Sequence, residues 1–542
     1  MMPLRRLSPA LAGLALLLGS CARHETAVES GNREQILHVG NRDEPADLDP
    51  HPNNSGTTGT VLSTLFEGLV TRANDGQTIL PGVAESWDLS PDGLTYTFHL
   101  RATARWSNGD PVTAQDFRDS FLRILDPALG CEQANLAYPI AGAQDFAEGR
   151  SKDPDSVGVR APDAHTFITL LKHPAPYWLS MLAHNGPLWP VHRRSVEAAG
   201  SWHRRGGAWT QPGQLIGNGP FVLAEWSPNS VVRVVRNPFY WDAAHVRLQE
   251  IRFYPMEDEN AEERAYRAGQ LHVTYRVPQP KVAGYERDHP AELQIAPDLR
   301  VAYLTFNVTR PPFTDPRVRR AFSLAINREQ LVRATLGKLG LPAAGLIIPG
   351  TGGYTAPAGV GFDPAEARRL LAEAGFPGGA GLPPVEFTLN GNAGTTLLLA
   401  SALQAMWVQQ LGVHVSVVPC EFKVYLSLSR EKQFSLLLDG WGYNFDDPRD
   451  PFELATSGDP NNDSGWSSRD YDAAFAQSDT ALLPAERRAA FDTMNAILAR
   501  EVPYAPLYQV NQGYLRRSSV QGWQSNRLRS IDWRQLWLDP AK

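Results

Sequence analysis

The chain changes texture near Asp315, and that change excludes any single repeating architecture. Before it, short alternating runs are separated by Pro, Asn and Gly. Ser86 to Leu89 and Thr95 to Leu100 flank Ser90-Pro91-Asp92-Gly93, and Tyr96, Phe98 and Leu100 alternate with the period of a half-buried hairpin. Phe221 to Trp226 and Val231 to Arg236 flank Pro228-Asn229, with Ile251 to Tyr254 beyond, which predicts a second antiparallel sheet. Thr113 opens a capped helix with Phe117, Phe121 and Leu125 on one face. After Asp315 the period is helical. Asp315-Pro316 starts a helix whose stripe is Val318, Ala321, Phe322, Ala325 and Ile326, and Asp363-Pro364 repeats the device. Leu397 to Leu411 forms another helix ending at Gly412, followed by strands at Val413 to Val418 and Phe434 to Leu438. Hairpins followed by alternating helices and strands predict an α/β protein with mixed sheets in more than one domain. A chain of 542 residues with 45 Gly, 43 Pro and 14 Trp suits that reading and excludes a helical bundle.

Arg5 and Arg6 precede the apolar run Ala10 to Leu18, which is about half the ~20 residues a transmembrane helix needs and has the order of an export signal. It ends at Leu18-Gly19-Ser20-Cys21, which resembles a lipobox, where the signal is cut before the cysteine and Cys21 is lipidated. An ordinary secretory signal with an incidental cysteine is the alternative. Residues 1–20 are therefore expected to be a signal peptide, and 21–33, polar and without periodicity, a flexible tether. Cys131 and Cys420 are expected to be two free thiols.

A net charge of -7 has the wrong sign for a phosphate-binding surface, so no nucleic-acid partner is expected. The G-x-S-x-G, phosphate-loop and H-E-x-x-H patterns are absent, the 13 His are scattered, and neither a cofactor nor a metal is expected. His192 and His203 read as packed or solvated imidazoles, and Gly378-Gly379-Ala380-Gly381, bracketed by prolines, reads as a surface turn.

The segment Asp439-Gly440-Trp441-Gly442-Tyr443-Asn444-Phe445-Asp446-Asp447-Pro448 draws attention, because two glycines, three aromatics and several acids follow an apolar run. Glycines let a backbone approach a ligand and aromatics supply flat walls; a strand-ending turn with packed aromatics accounts for the same pattern. Acids at 439, 446, 447 and 450 leave open a third reading, paired-carboxylate hydrolysis, which depends on their separation across a cleft.

Ordered blocks along nearly the whole chain resemble the solute-binding proteins of oligopeptide ABC transporters, the OppA/DppA family. They include Glu44 to Pro50, Leu65-Phe66-Glu67-Gly68-Leu69, Arg105 to Phe117, Gly217-Asn218-Gly219-Pro220-Phe221, Asn237-Pro238-Phe239-Tyr240-Trp241, and Pro312 to Arg319. The resemblance implies a two-lobed periplasmic-binding-protein fold, type II and cluster C-like with an extra domain, hinged between the lobes. The expected domains are I (34–70, 208–300 and 505–542), II (71–207) and III (301–504), with crossings near Leu299 to Val301 and Pro503 to Pro506. It further implies a monomeric, non-enzymatic protein of the bacterial periplasm or cell surface. Such a protein would be lipid-anchored and would deliver oligopeptides or peptide-like solutes to an ABC permease; a non-peptide solute such as an oligosaccharide, an opine-like conjugate or a metal chelate is the alternative.

By position, Gly440, Trp441 and Gly442 would present main-chain groups and an aromatic wall, Ser55, Gly56 and Thr57 would face them, and Tyr138 would contribute from domain II. The family's G-W-x-x-D motif carries an aspartate for the ligand's α-ammonium, whereas this chain has Asn444. The resemblance leaves Asp446 and Asp447, with Asp439, as substitutes for that charge. Leu438 likewise stands where such binders can carry an arginine for the ligand carboxylate.

Overall fold

The computed structural model describes residues 25–391, 394–481 and 483–542. The expected signal peptide and Cys21 lie outside the described residues.

The tether expectation needs correction over 27–33, because Ala27–Glu34 is a helix. Its capping box is reciprocal: the Glu29 backbone N–H donates to the Thr26 hydroxyl at 3.2 Å and the Thr26 N–H to the Glu29 carboxylate at 2.8 Å. The helix also lies close to the body. A Cβ on Gly31 would stand 2.4 Å from the Ile36 carbonyl oxygen and 2.8 Å from the His272 ring, so only glycine fits there. Tertiary contact rather than an apolar stripe holds this short helix.

Three sheets carry the fold. The amino-terminal sheet has the order Ile36–Gly40, Glu250–Tyr254, Val231–Arg236, Phe221–Ser227; the first pair is parallel and the rest antiparallel. The second sheet, wholly antiparallel, contains the Ala84–Leu89 and Thr95–Leu100 hairpin, then Thr166–Leu170 and Val159–Arg160. Its core packs Phe98, Phe117, Phe121, Phe167 and Trp178, all fully buried. The carboxy-terminal sheet has the order Gly340–Pro342, Tyr504–Leu515, Leu293–Phe306, Leu436–Gly442, Val385–Asn390, Val415–Cys420, and its last two pairings are parallel. Pro316–Leu324, Pro364–Glu373 and Gly394–Leu411 cover it through Phe322, Leu371, Leu403 and Trp407. Cys131 and Cys420 are free thiols.

The first two sheets are joined by a buried ion pair. Arg123 on helix Ala114–Ile124 donates from Nη2 to Asp49 Oδ2 at 2.7 Å and from Nη1 to Asp49 Oδ1 at 3.0 Å, and both side chains are fully buried. Arg123 also donates to the carbonyl of Trp202, so one guanidinium ties two chain segments to the helix.

Two strands cross to the carboxy-terminal sheet. Leu293–Phe306 pairs with Tyr504–Leu515 along its length, but the register shifts between Pro297 and Val301, opposite Asn511 and Gln509. At one end Leu515 and Thr274 exchange hydrogen bonds; at the other Val301 to Phe306 sits inside the sheet. Tyr504–Leu515 is one continuous strand of that sheet, paired with Leu293–Phe306 on one side and, through Tyr508 to Val510, with Gly340–Pro342 on the other.

Candidate functional site

A cavity of about 380 Å³ is lined by helix and loop segments of the amino-terminal half and by residues 298–300 and Gly442 of two neighbouring strands of the carboxy-terminal sheet. One wall is the start of helix Gly56–Leu65. Asn53, Asn54 and Ser55 are poor helix formers, and the Ser55 hydroxyl caps the helix by accepting from the Thr58 N–H at 3.4 Å. A Cβ on Gly56 would meet nothing within 4 Å, so this first turn is open to whatever enters. The opposite wall is Gly442, Tyr443 and Asn444, and Asn185 bridges the walls by donating from Nδ2 to the Asn444 carbonyl at 3.0 Å. Asp298, Leu299 and Arg300, on the irregular stretch of the crossing strand, form the third side with Arg527 to Arg534.

The glycine-rich segment is still strand as far as Gly442, because Gly440, Trp441 and Gly442 pair with Ala302, Val301 and Arg300. On its other edge only Leu436 and Leu437 pair with Val385–Asn390, so among the described residues the Leu438 to Gly442 edge has no strand partner. The turn begins at Tyr443, whose hydroxyl donates to the Leu346 carbonyl at 2.6 Å.

Of the residues singled out from sequence, Ser55, Gly56, Gly442 and Asn444 line the cavity together. Thr57 is buried behind the helix start, with its hydroxyl 2.9 Å from that of Ser55. Tyr138 packs against the core of the second sheet, and Gly440 and Trp441 lie farther along the strand; none of these three lines the cavity. Trp441 instead donates from Nε1 to Asp450 at 2.7 Å.

Asp450 also accepts from the Asn444 backbone N–H at 3.2 Å and from Asn444 Nδ2 at 2.8 Å. Burial pushes its carboxyl up to about 7 against the opposing pull of these donors. Asn444 is thus the donor layer between the cavity and a buried acid. The other acids are occupied elsewhere. Asp447 accepts both Arg487 amino groups at 2.8 Å each, and Asp446 accepts the Gly352 N–H at 3.0 Å. Asp439 accepts its neighbour's N–H, from Gly440, at 2.8 Å, and burial pushes it up to about 6. None of the four lines the cavity, so the arrangement that paired-carboxylate hydrolysis would use, two acids facing across it, does not arise from them.

Sequence reasoning did not single out the cavity's arginines: Arg72, Arg300, Arg527, Arg529 and Arg534, against the acids Glu67, Asp298 and Asp532. Three of the five crowd into the carboxy-terminal Arg527 to Arg534 stretch beside Trp533, a local signal that could have been read. Arg72 and Arg300 come from distant segments and give none. Glu67 lies buried at the cavity edge, accepting from the Tyr240 hydroxyl and Trp241 Nε1 at 2.6 Å each, and burial raises its carboxyl above the usual range. His184 is held neutral by burial, which pushes it down to about 4.

A family model described as bacterial extracellular solute-binding proteins, family 5 (middle), matches residues 78–463. The periplasmic murein peptide-binding protein MppA of Escherichia coli (strain K12) is 34% identical over 528 residues, covering 94% of this chain and 95% of that protein. Its solved structure, the E. coli murein tripeptide binding protein, superposes with a TM-score of 0.80 at 32% identity, over 93% of this chain and 98% of that one. The structure of Haemophilus influenzae OppA in complex with the peptide RPPGFSPFR gives a TM-score of 0.79 at 27% identity, covering 93% of this chain and 99% of that one.

Proposed function

The chain belongs to the bacterial extracellular solute-binding proteins of family 5, and from that premise we propose that it captures an oligopeptide or peptide-like solute in the cavity and delivers it to the permease of an ABC transporter. One observation carries the reading: the capped helix start at Ser55 and Gly56 and the end of the strand at Gly442, with Tyr443 and Asn444 after it, line one cavity. Main-chain groups of that kind recognise what every peptide shares, and polar walls admit water around variable side chains. Relatives named for murein peptide binding and for a peptide complex support the same assignment and a binding role rather than turnover.

Closure would bend the crossing strands at their irregularity between Pro297 and Val301, which also carries Asp298 to Arg300 into the cavity, so the ligand would touch the hinge itself. The same reading includes a diacylglycerol on Cys21. Because the helix begins at Ala27, five residues would separate it from the anchor, a reach of at most about 20 Å, so the domain would work close to the bilayer. Native mass spectrometry of freshly purified, never-denatured protein tests the function: bound masses released on denaturation and sequenced as peptides are expected. A bare protein mass that a peptide pool does not shift would refute it.

A further inference from the structure

The three acids lining the cavity are all engaged. Asp298 is paired with Arg529, Asp532 takes two bonds from Arg534 at 2.7 Å each, and Glu67 takes those from Tyr240 and Trp241. The arginines are not all matched. Arg300 is exposed and has no hydrogen bond or ion pair among the described residues; its guanidinium lies over Gly442, 3.5 Å from where a Cβ would stand. Arg529 Nη1 donates to the hydroxyl of Tyr275, which also lines the cavity, at 3.1 Å; Arg276, 5.5 Å from the same ring's centroid, lines a neighbouring small pocket with Glu257, Glu259 and Glu262. Arg529 keeps a buried Nε without a partner. Arg276 is held below the usual arginine range, by burial first and then by repulsion from Arg42, Arg529 and Arg300.

The facing wall offers no free acid. Asn444 stands where a carboxylate would be, with its Nδ2 already donated to Asp450, and the Asp446 carboxylate is turned to Gly352. Five arginines line the cavity against three acids that are already engaged, and Arg300 has no counter-ion among the described residues, so the cavity repels a cation and an anion relieves the repulsion. A carboxylate also fits the planar fork of a guanidinium, which Lys cannot reproduce.

Resting on the peptide-binding reading, we propose that this cavity is selective for acidic ligands, with a ligand carboxylate seated on Arg300. The carboxylate can belong to an acidic side chain or to the peptide's C-terminus; its chemistry is the same.

The test uses three tripeptides differing only in a central Glu, Gln or Lys, each with a free and an amidated C-terminus, titrated calorimetrically into wild type, Arg300→Gln and Arg300→Lys. The Glu peptide is expected to bind about tenfold or more tightly than the Gln peptide if the side chain sits on Arg300. The same drop on amidation identifies the C-terminus instead. In either case Arg300→Gln brings the ratio of affinities across that step close to one, Arg300→Lys restores it only in part, and the Lys peptide binds weakest to wild type. Equal affinity for all three central residues with no effect of amidation would overturn the proposal while leaving peptide binding intact. So would a preference for Lys, or an Arg300→Gln protein that keeps the discrimination. If no probe binds, the peptide-binding reading fails and takes the proposal with it.

Discussion

Replacing Asn444 by Asp restores the family's usual acid but places it against a second one. Asn444 Nδ2 stands 2.8 Å from Asp450 Oδ1, and Asp450, 2% exposed, already holds its proton up to about pH 7 because of burial. Below that pH the Asn444→Asp protein keeps Asp450 protonated, and its O–H can replace the lost donor. Above it, two carboxylates meet. Two unit charges 4 Å apart at an effective dielectric constant of 20 repel by about 4 kcal/mol, so a loss of stability on the order of 2–4 kcal/mol is expected at pH 8 and little at pH 5. A ligand with a free α-ammonium would place a positive charge beside the pair and gain a charge-assisted bond, for about tenfold tighter binding; an N-acetylated ligand would gain nothing. The assay is calorimetric titration of wild type and Asn444→Asp with one tripeptide and its N-acetylated form, alongside thermal unfolding at pH 5 and pH 8. Wild type should discriminate between the two peptides less than the variant does. Equal discrimination in both proteins would show that position 444 does not meet the ligand's terminus. An equal Tm loss at both pH values would refute the shared proton with Asp450.

Arg123→Met should cost about 3–5 kcal/mol by leaving Asp49 charged and buried without its partner, and Asp49→Leu in the same protein should recover most of the loss in thermal unfolding. Glu262 accepts from the Tyr275 and Arg276 backbone N–H groups at 2.7 and 3.3 Å, and burial pushes its carboxyl from 4.5 up to about 7. An acid whose folded pKa is raised binds a proton in the native state that the unfolded chain has lost, so stability falls as pH rises from about 4.5 to about 7 and then levels. Glu262→Gln should flatten that slope in unfolding measured from pH 4 to pH 8. Cys21→Ser should move the protein from the membrane to the soluble fraction of the producing cell, because acyl anchoring gains ~0.8 kcal/mol per buried methylene; unchanged membrane retention would exclude the lipid.

What could be read from sequence was local. The Ser90 to Gly93 turn, the Asp315 and Asp363 caps and the Phe221 to Tyr254 strands are each specified within a few residues, and they appear where turn chemistry and periodicity place them. Helix Ala27–Glu34 was not legible, since a two-turn polar helix is held by its cap and by the close packing at Gly31 rather than by an apolar stripe. Nor was the strand beyond Leu438 legible: Asp439, Gly440 and Gly442 have little strand preference, and pairing with Tyr303 to Arg300 makes them strand. In the site, the motif containing Gly442 and Asn444 pointed to one wall and the loop at Ser55 and Gly56 to another. Trp441, read as an aromatic wall, serves as a donor to Asp450, whose role depends on burial that no spacing reveals. Arg300 was missed for a similar reason, because it reaches the cavity only through a register shift between strands whose residues are some two hundred positions apart.

A bound peptide is expected to lie between the Ser55 helix start and the strand end at Gly442. Hydrogen–deuterium exchange of the full protein with and without a saturating tripeptide addresses it directly, since both walls are made of backbone amides. Slowed exchange is expected in peptides covering 55–59 and 442–444 and at 297–301, with the outer strands of all three sheets unchanged. Saturable peptide binding that leaves those three segments unprotected, or protects others in their place, would contradict it.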